Sequence, residues 1–173
     1  MNIIARFNKE NVSDDEAKLL RHRRAVRGII FDSVNNVALL HAKNEGYYGL
    51  PGGGVDSEET YEQGIVRECK EEVGCDVEIV KYIGTTFEYR KRNDLLNESW
   101  GYITKVIGEK GLPILVGDEN EAEKNSIVVW VPLAEAIHLM ESIPAQSELY
   151  EQYCVDRDLT FLQVATKNLN HFK

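Results

Sequence analysis

From Gly52 to Cys75 the chain reads GGGVDSEETYEQGIVRECKEEVGC, a glycine run followed by an acid-rich segment whose helix ends are legible. Thr60-x-x-Gln63 has the form of a capping box, and Gly74 stands where a C′ glycine stops a helix, which brackets a helix at about Tyr61 to Val73. On a wheel of roughly 100° per residue, Ile65, Val66, Cys69 and Val73 form an apolar arc that can face a sheet. With Glu68 at zero, Glu71 and Glu72 fall within about 60° and 40° of it on a second stripe. Like charges at that spacing cost a helix about 0.2–0.5 kcal/mol per pair. One relief is a solvated acidic face with Arg67 and Lys70 as counter-ions, Arg67 standing four residues before Glu71. The other is a hard divalent cation, Mg²⁺ or Mn²⁺, held by oxygen ligands, since no His/Cys cluster suggests zinc. Gly64, in mid-helix, costs about 1 kcal/mol relative to alanine and clears space beside Glu68 for a backbone or a ligand. If Thr60 caps the helix, Glu59 lies just outside it, free to fold back and orient Arg67.

Around this segment the pattern is that of strands and turns. Arg24–Asp32 and Val37–Ala42 read as a hairpin closed by Ser33–Asn36, and the glycine-punctuated loop from Asn44 to Gly54 follows it, where glycine allows close backbone approach. Val77–Arg90 and Trp100–Ile107 read as two long strands joined through Lys91–Asp94. Ile127–Val131 is a short strand of buried type, and Pro132 starts a helix to about Glu141. The tail from Ser147 to Leu169 is helical with a break near Asp156. In the first twenty residues a strand at Ile3–Phe7 and a short helix at Asp14–Leu20 both fit. Hairpin strands with a few helices argue for a mixed α/β domain with helices packed over a sheet.

At 173 residues the chain is the size of one domain, since domains commonly run to about 100–200 residues. It has no long apolar run and no signal-peptide layout at Met1–Arg6, so no membrane segment is expected. A net charge of −9 argues against a large nucleic-acid surface, although a bound divalent cation can still bring in a small phosphate ligand. Cys69, Cys75 and Cys154 form no CxxC pair and read as free thiols of a cytoplasmic protein.

Gly53, five residues, Glu59, seven residues, then Arg67-Glu68-Cys69-Lys70-Glu71-Glu72-Val73-Gly74-Cys75 resembles the signature box of the Nudix hydrolases. Arg24–Ile30, Leu50–Gly54 and Trp130–Leu133 resemble that family's opening strand, pre-box loop and closing strand and helix. Cys69 and Cys75 depart from its usual aliphatic or small residues, and a buried cysteine behaves as a small hydrophobe. The resemblance implies an α/β/α sandwich around a central mixed β-sheet, laid out as a Nudix domain at 24–141 with an N-terminal extension at 1–23 and a helical tail at 142–173 packed on it. It implies metal-dependent hydrolysis of a nucleoside diphosphate linked to another moiety, with nucleoside triphosphates, oxidised ones included, nucleotide sugars and ADP-ribose as substrate classes. By the same resemblance Glu71 and Glu72 bind the cation and Glu68 is a ligand or general base. The Gly52 carbonyl and a loop glutamate (Glu123, Glu121 or Glu119) add to the shell, and Arg67 with Glu59 forms an orienting pair.

Substrate contacts are expected from Arg27, Gly53, Gly54, Tyr48 and Arg90. Tyr47 and Tyr48 can stack on a base or pack over the sheet. The run Arg90-Lys91-Arg92 can grip a phosphate or be a solvated hairpin tip, and Arg21–Arg24 can face a phosphate channel or be an ordinary strand end. The proline or tyrosine that marks two of the family's branches would fall near Arg90 and Arg92, and neither is present. Two other functions fit the fold, a nucleotide sensor without turnover and an RNA 5′-end pyrophosphohydrolase. The intact box speaks against the first and the net negative charge against the second. Homodimers are common in the family.

Overall fold

In the computed structural model, which describes residues 1–42, 46–114, 126–143 and 148–169, alternation along the strand Arg21–Phe31 (β2) sets the plan of the molecule. Val26 and Ile30 point into one apolar cluster, Ile29 and Phe31 into a second on the opposite face. Both faces must therefore be covered.

The sheet that β2 centres has seven strands among the described residues. Leu95–Ile107 (β6) runs parallel to β2 in unbroken register from Arg21↔Leu95 to Phe31↔Lys105. Asp76–Arg90 (β5) lies antiparallel to β6, and Ile3–Phe7 (β1) adds to the outer edge of β5 in parallel. On the other side come Asn36–Ala42 (β3), Tyr47–Gly49 (β4) and Ser126–Pro132 (β7), the last pairing antiparallel with β3. The first twenty residues hold both expected elements, β1 and a helix at Asp14–Ala17 (α1) closed by a Ser13/Glu16 capping box.

One face is covered by the helix Tyr61–Glu68 (α2) and the π turn Cys69–Val73 that continues it, which bury Ile65, Cys69 and Val73 against Val26, Ile30 and Ala38. The other is covered by Leu133–Glu141 (α3) and Leu149–Leu169 (α4), whose Ala136, Met140, Phe161 and Leu162 pack on Ile29, Phe31, Leu39 and Ile103. The architecture is an α/β/α sandwich around a mixed sheet. Phe161 comes so close to β6 that a Cβ on Gly101 would stand 2.3 Å from its Cδ1. Among the described residues no helix is long and apolar enough to cross a membrane, and the three cysteines are free and buried.

Five expectations need correction. The β2–β3 hairpin keeps only the pair Phe31↔Val37, because the edge of β2 below it is taken by the glycine loop. β6 starts at Leu95 rather than Trp100: Asn97 and Glu98 look like loop residues but are buried with their polar atoms hydrogen-bonded. β7 is an edge strand with Ile127 38% exposed, not a buried one. Val66 is 40% exposed and leaves the apolar arc of α2. Helix α4 passes through Asp156 without a break.

Candidate active site

The glycine loop is laid along β2 by backbone bonds. Gly28 N–H donates to Pro51 O at 2.8 Å, Val26 N–H to Gly53 O at 3.0 Å, and Val55 N–H to Arg24 O at 3.0 Å. Gly52 adopts φ +136°, and a Cβ there would stand 2.2 Å from Val26 O, so only glycine fits. A Cβ on Gly53 would stand 2.5 Å from Glu68 Oε1. The loop thus lies directly against the carboxylates of the helix.

Helix α2 begins as its sequence demands: Thr60 accepts from Gln63 N–H, and the Gln63 side chain accepts from Thr60 N–H. It ends in a π turn, with Gly74 in the left-handed region at φ +75°. Glu71 and Glu72 sit in that wider turn, and the Gly52 amide donates to Glu72 Oε2 at 2.5 Å. Burial pushes the Glu68 carboxyl up, partly offset by Arg67. The strip from Lys110 to Ile114 docks on the turn, where Gly111 N–H donates to Gly74 O and Ile114 N–H to Glu71 O at 2.8 Å.

Arg67 organises the acids. Its Nε and Nη2 fork onto Glu59 at 2.9 and 3.0 Å, Nη2 also donates to Gly54 O at 2.8 Å, and Nη1 is shared by Glu68 Oε1 at 2.8 Å and Glu71 Oε2 at 2.9 Å. A planar guanidinium can serve all these acceptors at once, whereas an ammonium cannot. The fork holds the Glu59 carboxyl below the usual range and raises the Arg67 pKa. The space left by Gly64 is filled by Glu59 and Val55, 3.3 and 3.2 Å from where a Cβ would be, so the glycine admits the orienting pair rather than a ligand.

As the side chains stand, no group of three His, Cys, Asp or Glu residues among those described is posed to hold a metal. The donor set nevertheless suits a hard divalent cation: Glu68, Glu71 and Glu72 offer only oxygen, on one helix and the π turn that continues it, against a loop so close that a Cβ on Gly53 would stand 2.5 Å from Glu68 Oε1. Glu119, Glu121 and Glu123 lie outside the described residues.

Behind the loop, on the α4 face, a buried polar network joins four elements. Arg23 Nη1 donates to Asn97 Oδ1 at 3.3 Å, and Asn97 Nδ2 donates to Glu88 Oε1 at 2.9 Å. Glu88 also pairs with Arg90 and, at 3.3 Å, with Arg157. Asp158 accepts from Arg157 Nε at 2.6 Å and from the Leu50 amide at 2.9 Å, two residues before Gly52. Burial raises the Glu88 pKa, and the attraction of Arg157 and Arg90 more than reverses that, leaving it low.

The expected substrate residues therefore separate. Arg27, 8% exposed, and Arg90, 4% exposed, belong to this network. Lys91 and Arg92 are exposed partners of Glu16 and Glu10. Tyr48 stacks on His41 at 4.3 Å and packs against the core. Of Arg21–Arg24, Arg23 enters the network, while Arg24 donates to Asp56 O and lies over Tyr61. Glu88, Asn97, Arg157 and Asp158 were not anticipated. The one signal for them was polar residues inside runs of strand and helix.

Residues 21–153 match the family model described as the NUDIX domain. The chain is 41% identical over 63 residues to an ADP-ribose pyrophosphatase of Methanocaldococcus jannaschii, covering 35% of this chain and 37% of that protein. It is 41% identical over 54 residues to an 8-oxo-dGTP diphosphatase of Proteus vulgaris, covering 29% and 48%. The match thus spans less than half the length of either relative. Among solved structures, a MutT protein from Methanosarcina mazei Go1 superposes with TM-score 0.58 at 22% identity over 86% of this chain and 96% of its own. The NUDIX domain of Shewanella oneidensis NrtR, complexed with ADP ribose, gives 0.60 at 18% identity over 92% and 94%. At these identities the likeness is one of fold.

Proposed function

This chain belongs to the Nudix family, and from that premise we propose that it hydrolyses a phosphoric anhydride bond in a nucleoside diphosphate linked to another moiety. The observation that carries the reading is the Arg67 fork, which gathers Glu59, Glu68 and Glu71 beside the Gly52–Gly54 loop. So much negative charge on one stripe is suited to a divalent cation, with Glu68, Glu71, Glu72 and the Gly52 carbonyl as its ligands. Mg²⁺ or Mn²⁺ bound there supplies charge neutralisation at the phosphate oxygens and a more acidic bound water.

The chain's own residues do the rest. Glu68, whose pKa is raised by burial, is the group suited to take a proton from the attacking water. The water oxygen bonds to one phosphorus, the bridging P–O bond breaks, and two phosphate-bearing products leave. Glu59 and Arg67 fix the orientation of Glu68 and Glu71 without touching substrate. The glycine loop lets the diphosphate approach the backbone.

The curated relatives are named for ADP-ribose and 8-oxo-dGTP, so both belong in the test. A panel of nucleoside triphosphates, nucleotide sugars and ADP-ribose incubated with Mg²⁺, with the products identified, should show at least one compound cleaved within its anhydride. The double change Glu71→Gln with Glu72→Gln should lower that rate at least about a hundredfold. Wild-type rates in that variant, or no cleavage of any compound by the unaltered chain, would end the proposal.

A further inference from the structure

Next to the glycine loop, on the α4 face of the sheet, four guanidinium groups lie within electrostatic range of one another. Arg23 and Arg27 come from β2, Arg90 from β5 and Arg157 from α4. The strand register lines Arg23, Asn97 and Glu88 up in one row across β2, β6 and β5.

Among the described residues the carboxylates that pair with these arginines are Glu88 and Asp158. Glu88 is taken by Arg90 and Arg157, and Asp158 by Arg157, leaving Arg27 Nε 3.9 Å from the same oxygen. Arg23 has, among the described residues, no carboxylate within 4.0 Å and one hydrogen bond, at 3.3 Å to Asn97. The Nε groups of Arg27 and Arg90 are buried without an acceptor among the described residues. Among the described residues positive charge is thus in excess at this point, in a chain whose net charge is −9. Burial and the neighbouring Arg27, Arg157 and Arg90 all push the Arg23 pKa down.

The cluster also has a position. A Cβ on Gly54 would stand 3.4 Å from Arg23 Nη2, so that guanidinium reaches the loop whose adjacent glycines lie against Glu68 and Glu72. The Tyr150 ring, 49% exposed, lies over Arg90 at 4.6 Å and marks the solvent side. Arg67 cannot serve here, because its donors are committed to Glu59, Glu68, Glu71 and Gly54. A neutral sugar offers these guanidiniums no counter-charge, whereas a phosphate does.

We propose that Arg23, backed by Arg27 and Arg90, binds a phosphate beyond the two that flank the cleaved bond, so that the preferred substrate class is a nucleoside triphosphate. This rests on the hydrolase reading for the place of cleavage, but it has a readout of its own.

Calorimetry in EDTA, with an α,β-methylene nucleoside triphosphate and with ADP-ribose, measures binding without turnover. The unaltered chain should favour the triphosphate by about tenfold or more, and Arg23→Gln should remove most of that preference. Arg23→Lys should restore part of it, since it keeps the charge and loses the fork. With Mg²⁺ present, Arg23→Gln should raise KM for the triphosphate and leave kcat near the original value. Equal affinity for the two ligands, a preference for ADP-ribose, or an unchanged ratio in Arg23→Gln would overturn the inference. A triphosphate preference in EDTA with no cleavage of any nucleotide would instead overturn the hydrolase reading and leave the anion site standing.

Discussion

The Oε2 of Glu72 accepts a hydrogen bond from the Gly52 amide at 2.5 Å, joining the π turn to the glycine loop 20 residues earlier. Gly52 lies at φ +136° where a Cβ would stand 2.2 Å from Val26 O, and Glu72 sits in a turn closed by Gly74. Gly52→Ala should cost about 1–3 kcal/mol in urea unfolding. It should also lower hydrolysis far more than a comparable loss of stability elsewhere does.

Arg67 separates three carboxylates that repel one another without it. Arg67→Lys should lower stability by about 1–3 kcal/mol, because one ammonium cannot replace the fork onto Glu59 while also reaching Glu68 and Glu71. Millimolar Mg²⁺ should raise the melting temperature of this variant by more than it raises that of the unaltered chain.

Glu88 predicts an acid limb in stability. Its folded pKa lies below the unfolded value, so its contribution is complete above the ordinary carboxylate range, about 4.3, and is lost as pH falls through the folded pKa. Urea unfolding between neutral pH and about pH 3 should show a flatter acid limb in Glu88→Gln than in the unaltered chain. At neutral pH that variant should be less stable by about 3–5 kcal/mol, with Arg90 and Arg157 left underpaired.

Gly101→Ala pushes a methyl into Phe161, on the face away from α2. Overpacking of this kind should cost about 1–3 kcal/mol in thermal or urea unfolding. KM should stay unchanged, which sets this variant apart from those of the loop.

The acidic helix was legible because its determinants are local: Thr60 and Gln63 cap it, Gly74 ends it, and spacing alone puts Glu59 within reach of Arg67. What that reasoning missed depends on distance in sequence or on a departure from the regular helix. A wheel of fixed pitch cannot foresee a π turn at Cys69–Val73, nor that Val66 turns outward. The parallel pairing of β2 with β6 leaves no trace in either strand alone. The arginine network draws on β2, β5, β6 and α4, and each member looks solvent-facing until its partner is known. Gly64 signals missing bulk beside the acids, but which group fills that space, Glu59 with Val55, depends on the fold.

The bond from Asp158 to the Leu50 amide spans 108 residues, and Arg157 beside it is a partner of Glu88. During synthesis the chain emerges from its N-terminus at about 5–20 residues per second. The glycine loop, the acidic helix and the strand bearing Glu88 are all out of the ribosome before the residues that finish their polar pairing. Until α4 arrives, Glu88 has Arg90 and Asn97 but lacks Arg157, and the Leu50 amide lacks Asp158. The glycine loop thus gains its bond from Leu50 to Asp158 only after α4 has been made.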